Sequence, residues 1–382
     1  MLSRLIGKEI KSSTKSVLLM GPRQTGKSTL LSSLKPDLTI NLARENEFLR
    51  YSADVDLFSE QIETGDYRTV FVDEIQRIPG LLNTVQAIID ESKPKRPIRF
   101  LLSGSSARKL RRGQANLLPG RVFSYQMGGL CARELDYEVN YARALQFGFL
   151  PEPYLEGAPA DAKKLLESYA STYLKEEIQA EALARDLQGF SRFLVGIAAL
   201  SGQILDFSKL ANRTKVSRSS CVRFVEILED TLIAHRVESF AGAGRADTVR
   251  RAKLYFFDVG VLNGLQGNFD SSTDRKGFLF EHLVYSQLRN SALAHDRRME
   301  IRYFRTRHGV DVDFIVEFDG KTWAIEAKSG EASSGDIKSL LAFREYCPEV
   351  HRCVLVTPKE KKRVKDGVLI CDWITLLKEM DL

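Results

Sequence analysis

Two groups of residues, far apart in the chain, are of the types that do phosphate or metal chemistry. The first is GPRQTGKST, residues 21–29. Gly21, Pro22, Arg23, Gln24, Thr25, Gly26, Lys27 and Ser28 fit the spacing G-x-x-x-x-G-K-[ST], with the apolar run VLLM before them and Thr29 opening a helical stretch behind. Glycines in such a loop let successive backbone N–H groups turn inward around phosphates, and the new helix adds the positive end of its dipole. Lys27 is expected to meet the β- and γ-phosphates of ATP, and the Ser28 hydroxyl to ligate Mg2+. The second group lies in VDVDFIVEFDGKTWAIEAK, residues 310–328, where Asp313 precedes one apolar run and Glu326 and Lys328 close the next. In two adjacent antiparallel strands Asp313 comes near Glu326. Glu326 and Lys328 share a face, because side chains two apart point the same way.

Two further stretches add to the first group. TVFVDEIQRIP, residues 69–79, is a short apolar strand ending in an acid pair. Asp73 is suited to hold the magnesium from behind its inner ligands, and Glu74 to polarise the attacking water as general base. IRFLLSGSSA, residues 98–107, ends in serines, and Ser103 or Ser105 could present a hydroxyl to the γ-phosphate from a neighbouring strand. A plain strand end would read the same way. Arg108, Arg111, Arg112 and Arg121 follow. One of them could stabilise transition-state charge in a neighbouring subunit as an arginine finger, and Arg121 is favoured because LPGR is a turn that would present it. A solvated basic loop has the same composition.

GPRQTGKSTLL, VFVDEIQRIPGLL and FLLSGSSARKL with PGR resemble, in this order, the AAA-type ATPases, in an archaeal and bacterial group whose C-terminal half is a domain of unknown function. The resemblance continues in AGAGRADTVRRAKLYFFDVGVLNGL, where Lys253 precedes an aromatic strand that leads to Asp258 and Gly260. It implies ATP binding and hydrolysis and a homo-oligomer. The role of Lys253, Asp258 and Gly260 is not readable from the residues beyond a strand-ending turn.

Farther along, GFLFEHLVYSQLRN (277–290) reads as a helix carrying Glu281. IRYFRTRHGVDVDFIVEFDG reads as two strands, KTWAIEAKSG as a third, SGDIKSLLAFREYC as a helix and VHRCVLVTP as a further strand. Helix, three strands, helix and strand resembles the core of the PD-(D/E)XK nuclease-like fold. That resemblance implies Mg2+ or Mn2+ held by Asp313 and Glu326, with Glu281 acting through water and Lys328 orienting or deprotonating the attacking water. Such folds also persist as interaction modules without activity, so both readings stay open.

Between these groups, residues 140–200 repeat apolar side chains at helical steps and suggest a lid, with GFLPEPYLEG at a junction. DFSKLANRT, the turn KVS and SRSSCVRFVEILEDT then suit a winged helix-turn-helix with Val222, Val225, Ile227 and Leu228 inward. Arg218, Ser219, Ser220 and Arg223 would face a DNA major groove. A packing module that touches no nucleic acid is the alternative.

At 382 residues the chain exceeds one ordinary core. The expected architecture is α/β: a P-loop parallel-sheet ATPase domain over 1–150, a helical lid and winged helix over 151–265, and a restriction-endonuclease-like α/β domain over 266–382. With 56 Lys and Arg against 50 Asp and Glu, the net charge of +6 permits DNA as a partner without demanding it. The basic run KEKKRVKDG, 359–367, could track a phosphate backbone or be a solvated loop. Five scattered cysteines, never in a C-x-x-C pair, suggest neither a disulfide framework nor a zinc site. No segment has the length of a membrane span and the N-terminus lacks a signal-type apolar core, so a cytoplasmic protein without membrane partners is expected.

Overall fold

The computed structural model describes residues 2–92, 97–105, 118–173, 187–240, 248–333 and 335–382. The chain divides into two compact units, Met1–Gly128 with Asp230–Ile233, and Gly129–Glu229 with Ala234–Leu382.

In the first unit, strands β1 (Ser16–Met20), β2 (Leu38–Asn41), β3 (Thr69–Asp73), β4 (Arg99–Gly104) and β5 (Val122–Gln126) form a wholly parallel sheet in the order β2-β3-β4-β1-β5. β1, β3 and β4 are nearly unbroken apolar runs, as strands buried on both faces must be. Alternation sends Leu18, Val70, Val72, Phe100 and Leu102 into one core, and Val17, Leu19, Phe71 and Leu101 into the other. Helices α1 (Ile6–Ser12) and α2 (Lys27–Ser33) supply Ile6, Ile10, Leu30 and Leu31 to the second core. Helices α3 (Glu45–Ala53), α4 (Asp56–Thr64) and α5 (Leu81–Glu91) supply Tyr51, Phe58, Ile62, Leu82 and Val85 to the first. Because β4 lies between β3 and β1, the polar residues that end these three strands meet at one edge of the sheet, where doubly wound sheets carry their ligands.

The second unit opens with helices α6 (Tyr141–Phe147), α7 (Pro151–Leu155), α8 (Pro159–Ser168) and α9 (Leu187–Ala198). Most of the helical stretch expected beyond Tyr173, through residue 186, lies outside the described residues. Next come α10 (Phe207–Thr214) and α11 (Arg218–Asp230), then an antiparallel ribbon of β6 (Ala234–Val237) and β7 (Lys253–Phe256). Asp206 caps α10 by accepting from Ser208 N and Lys209 N at 3.0 and 3.1 Å. Of the four inward positions expected on α11, Val225, Ile227 and Leu228 are buried, but Val222 is only half-buried. Cys221 and Phe224 take the core face instead. Phe224 packs on Phe190 and Phe193 of α9, with ring centroids 4.9 and 5.2 Å apart, and this aromatic cluster sets the helix's rotation. Asp258 and Gly260 serve helix α12 (Val259–Gln266). Asp258 accepts from Val261 N and Phe149 N, and a Cβ on Gly260 would lie 2.1 Å from Phe147 O.

The 22-residue helix α13 (Thr273–Ala294) leads to a six-stranded mixed sheet. Its strands are β8 (Met299–Arg305), β9 (Asp311–Phe318), β10 (Lys321–Ala327), β11 (Arg352–Thr357), β12 (Arg363–Lys365) and β13 (Val368–Asp372), ordered β12-β13-β11-β10-β9-β8. Helix α14 (Lys338–Tyr346) puts Leu340 and Phe343 on one face, against Ile315, Ala324 and Leu355. Tyr285 of α13 packs on Phe314 from the other face. Helix α15 (Trp373–Glu379) closes the unit. The basic run 359–367 becomes the exposed edge strand β12 and its turn, with Lys362 paired to Glu379 at 2.5 Å; charge on an edge strand discourages pairing with another chain. All five cysteines are free thiols. Among the described residues, no helix is long and apolar enough to cross a membrane.

One buried group in this unit makes its stability depend on pH. His282 of α13 is 1% exposed, with Nε2 2.7 Å from Phe256 O and Nδ1 3.3 Å from Ser201 Oγ. Burial lowers its pKa from 6.5 to about 4. The folded chain thus binds this proton less readily than the unfolded chain. The stability it confers is complete above pH 6.5 and is lost as the pH falls toward 4, by up to about 3 kcal/mol. Denaturant midpoints measured across this window should fall, and His282→Gln, which cannot titrate, should flatten the fall. An equally steep slope in the variant would assign the loss to other groups.

Candidate functional site

The loop after β1 leaves the sheet through a glycine that has no room for a side chain, since a Cβ on Gly21 would lie 2.1 Å from Met127 O. Gln24 and Gly26 have φ of 57° and 92°, two left-handed residues within three positions, a conformation that turns backbone N–H groups toward an anion. Pro22 and Thr25 brace the loop, with Thr25 Oγ1 donating to Pro22 O at 2.8 Å. Arg4, which the sequence patterns do not single out, donates to Thr25 O at 2.5 Å and to Gly128 O at 3.0 Å. Lys27 is 4% exposed at the head of α2, and its Nζ donates to Gly21 O and Pro22 O, each at 2.8 Å. Arg23 is half-buried, while Gln24 and Thr29 are exposed.

The acid pair of β3 is adjacent. Ser28 Oγ donates to Asp73 Oδ1 at 2.8 Å. Ser103, fully buried, donates to the same oxygen and accepts from Glu74 N at 3.1 Å. Its single proton is thereby engaged with Asp73. Glu74 has φ 58°, and its Oε2 accepts from Gln76 Nε2 and from Ser105 Oγ at 3.3 Å. Gln76 and Ser105 are each 2% exposed and 2.9 Å apart. Gln76 went unread in the sequence, where its only signal is a place two residues past the acid pair. The Ser28 hydroxyl and Asp73 carboxylate are hard oxygen donors in contact, which suits Mg2+ beside a nucleotide. Arg121 sits apart from them. Val122, which follows it, pairs with Ser16 at the start of β1, the edge of the sheet opposite the loop, and the Arg121 guanidinium grips Asp90 at 2.7 and 2.8 Å. Arg108, Arg111 and Arg112 lie outside the described residues.

The strands of the second unit bring the other group together. Phe314 faces Ile325 in the antiparallel pair, so Asp313 stands opposite Glu326. Asp313 Oδ2 accepts from Ala327 N at 2.9 Å, and Glu326 Oε2 accepts from Asp313 N at 3.4 Å. Lys328 Nζ lies 2.6 Å from Glu326 Oε1. Glu281 reaches in from α13, its Oε1 accepting from Tyr255 OH at 2.5 Å and lying 3.7 Å from Lys253 Nζ. Asp311 shares the face of Asp313, and its Oδ1 is buried without a hydrogen-bond partner. Burial first, and the Asp313 charge second, push Glu281 up to about 7 and Glu326 up to about 8. Burial raises Asp313 too. Burial lowers Lys328, but the charge and hydrogen bond of Glu326, together with the Asp313 and Asp336 charges, outweigh it, so it ends above its usual value.

Carboxylates crowded in this way, with Glu326 buried and Glu281, Asp311 and Asp313 half-buried, are what a cation relieves. Mg2+ needs only one or two of them, with water completing its shell. Asp313 and Glu326 supply that pair, and the orphaned Asp311 oxygen is a further hard donor, so the residues fit such an ion in kind. Among the described residues, no three His, Cys, Asp or Glu side chains already form a cage. Glu281 is engaged by Tyr255 and Lys253.

Residues 13–136 match a family model described as an AAA domain, while residues 138–272 and 276–374 match two domains of unknown function. With its five-stranded parallel sheet and phosphate loop, the N-terminal unit is an AAA-type P-loop domain. Over 356 residues the chain is 27% identical to an uncharacterized protein of Mycobacterium tuberculosis and to one of Mycobacterium bovis, covering 91% of this chain and 77% of each relative. Among solved structures, a RuvB variant of Thermotoga maritima aligns with TM-score 0.28 at 17% identity, over 61% of this chain and 86% of its own. The replication initiator DnaA bound to AMPPCP and single-stranded DNA aligns with TM-score 0.30 at 12% identity, over 59% and 85%. Both structural likenesses are loose and say nothing of what this chain does.

Proposed function

We propose that this chain binds and hydrolyses ATP and uses the nucleotide cycle to act on DNA, with metal-dependent phosphodiester processing in its C-terminal part. The observation that carries the ATPase reading is the meeting of Ser28 and Ser103 on one oxygen of Asp73, beside Lys27 at the mouth of the loop. Lys27 swings from the loop carbonyls to the β- and γ-phosphates, and Ser28 and Asp73 hold Mg2+, which supplies charge neutralisation when bound. Ser103 keeps Asp73 in place. Glu74 takes the proton of the attacking water once its carboxylate leaves Gln76 and Ser105. Arg121 completes a neighbour's site only in an oligomer, and only after releasing Asp90.

The DNA reading is supported by α11 as the third helix of a winged helix, which presents Arg218, Ser219 and Arg223 exposed and Ser220 half-buried. The Asp313, Glu326 and Lys328 constellation on the six-stranded mixed sheet supports it from the other side. In the cleavage step, Lys328, held as an ammonium on Glu326, would orient the attacking water beside Asp313 and Glu326, which would hold the Mg2+ or Mn2+ ion whose charge stabilises the phosphodiester's transition state. The test is steady-state ATP hydrolysis with and without linear double-stranded, single-stranded and branched DNA. Several-fold stimulation by one of them makes DNA the substrate, and indifference to all of them removes it.

A second reading is a nucleotide switch that controls assembly, with the C-terminal sheet an interaction module. The Gln76 and Ser105 contacts to Glu74 favour it, since a general base held by its own chain turns over slowly. Gln76→Ala is expected to raise basal ATP turnover about tenfold, the lower end of the scale of one hydrogen bond to a charged group. Unchanged or lower turnover would mean that Gln76 positions Glu74 for catalysis and does not restrain it.

A further inference from the structure

The ribbon of β6 and β7 runs on into the six-stranded sheet. Phe240 N donates to Tyr303 O at 2.7 Å, Tyr303 N to Glu238 O at 3.0 Å, and Val249 N to Arg305 O at 2.9 Å. The first side chain of β7 therefore enters the carboxylate cluster from a strand outside that sheet. Lys253 Nζ lies 3.7 Å from Glu281 Oε1 and 5.2 Å from the centroid of the Tyr303 ring, with its side chain 7% exposed. Tyr255, two residues along and on the same face, donates to the same Glu281 oxygen at 2.5 Å. Burying an ammonium is costly unless carboxylates surround it, and here they do: Glu281 directly, and Asp313 through its field. Lys328 stands separately on Glu326, so two ammonium groups bracket one set of acids.

We propose that Lys253 is a positioning residue of the C-terminal site: it holds Glu281 in place and, as a resident cation beside the same carboxylates, sets how tightly the site takes a divalent metal. This rests on the metal-dependent reading above. A positive charge at this range repels an incoming dication, so its removal strengthens metal binding while leaving Glu281 less fixed. A lysine that only filled space would act the other way, since its loss would disorder the acids and weaken the metal.

The experiment measures free Mn2+ by electron paramagnetic resonance during titration of the full chain, in a Ser28→Ala background that silences the N-terminal metal position. Lys253→Met should bind Mn2+ about tenfold more tightly than its parent, while cleavage of DNA at saturating Mn2+ falls. Lys253→Arg, which keeps the charge, should bind Mn2+ like the parent. Glu281→Gln should weaken binding and shrink the effect of Lys253→Met, because the two residues act as a coupled pair. If Lys253→Met does not fold, the Arg and Gln variants carry the test: tighter binding by Lys253→Arg, or unaltered binding by Glu281→Gln, overturns the proposal. Where the parent binds Mn2+ and folded Lys253→Met binds it equally or more weakly, only the role of Lys253 fails. A parent that binds no Mn2+ removes the metal site and the proposal with it.

Discussion

Lys27→Ala is expected to lower steady-state ATP turnover by roughly a hundredfold or more, the usual consequence of removing a preorganised charge from a transition state. The ammonium is buried at the head of α2 and donates to the carbonyls of Gly21 and Pro22, so it is aimed into the loop that should receive the phosphates. Alanine is a good helix former and leaves Leu30 and Leu31 in their core, so α2 should survive the change. A thermal melt close to that of the parent, with lost turnover and weakened binding of a fluorescent ATP analogue, is the outcome that fits. Wild-type turnover in a folded variant would remove the loop from catalysis and the proposed function with it.

Lys328→Ala should reduce metal-dependent DNA cleavage by about two orders of magnitude while leaving ATP turnover within roughly twofold of the parent. The two activities separate because Lys328 belongs to the second unit and contacts Glu326 there. The lysine is 40% exposed, so its loss opens no cavity, but it strips Glu326 of a cation at 2.6 Å in a place where burial already disfavours its charge. Glu326→Gln therefore belongs beside it as a control. If cleavage vanishes in both variants with metal present, the pair is the site. Cleavage that survives Lys328→Ala points to a different site or a contaminant, and a wild-type chain that cuts no DNA at all leaves the six-stranded sheet as an interaction module.

Much of the candidate chemistry was legible before the fold. The phosphate loop, the acid pair that closes β3 and the serines at the end of β4 each follow an apolar run that can only be a buried strand, so their places at strand ends derive from periodicity. Asp313 and Glu326 could be paired on paper because a tight turn fixes a hairpin's register. Asp319 and Gly320, with φ of 50° and 70°, join Phe318 directly to Lys321 and count the two carboxylates into opposition.

The order of residues along the chain thus dictates each strand, each helix and the chemistry of side chains a few residues apart, since these obey periods of 2 and 3.6 that any local segment carries. Packing between elements supplied the rest. It rotated α11 so that Phe224, and not Val222, met the aromatic rings of α9. It set Ser103 on Asp73 across 30 residues and laid Gln76 and Ser105 on Glu74. It brought Lys253 and Tyr255 to Glu281 from a ribbon 26 or more positions earlier. Such contacts depend on which buried faces fit together, and close packing of whole side chains across elements leaves no period in the chain from which they could be read.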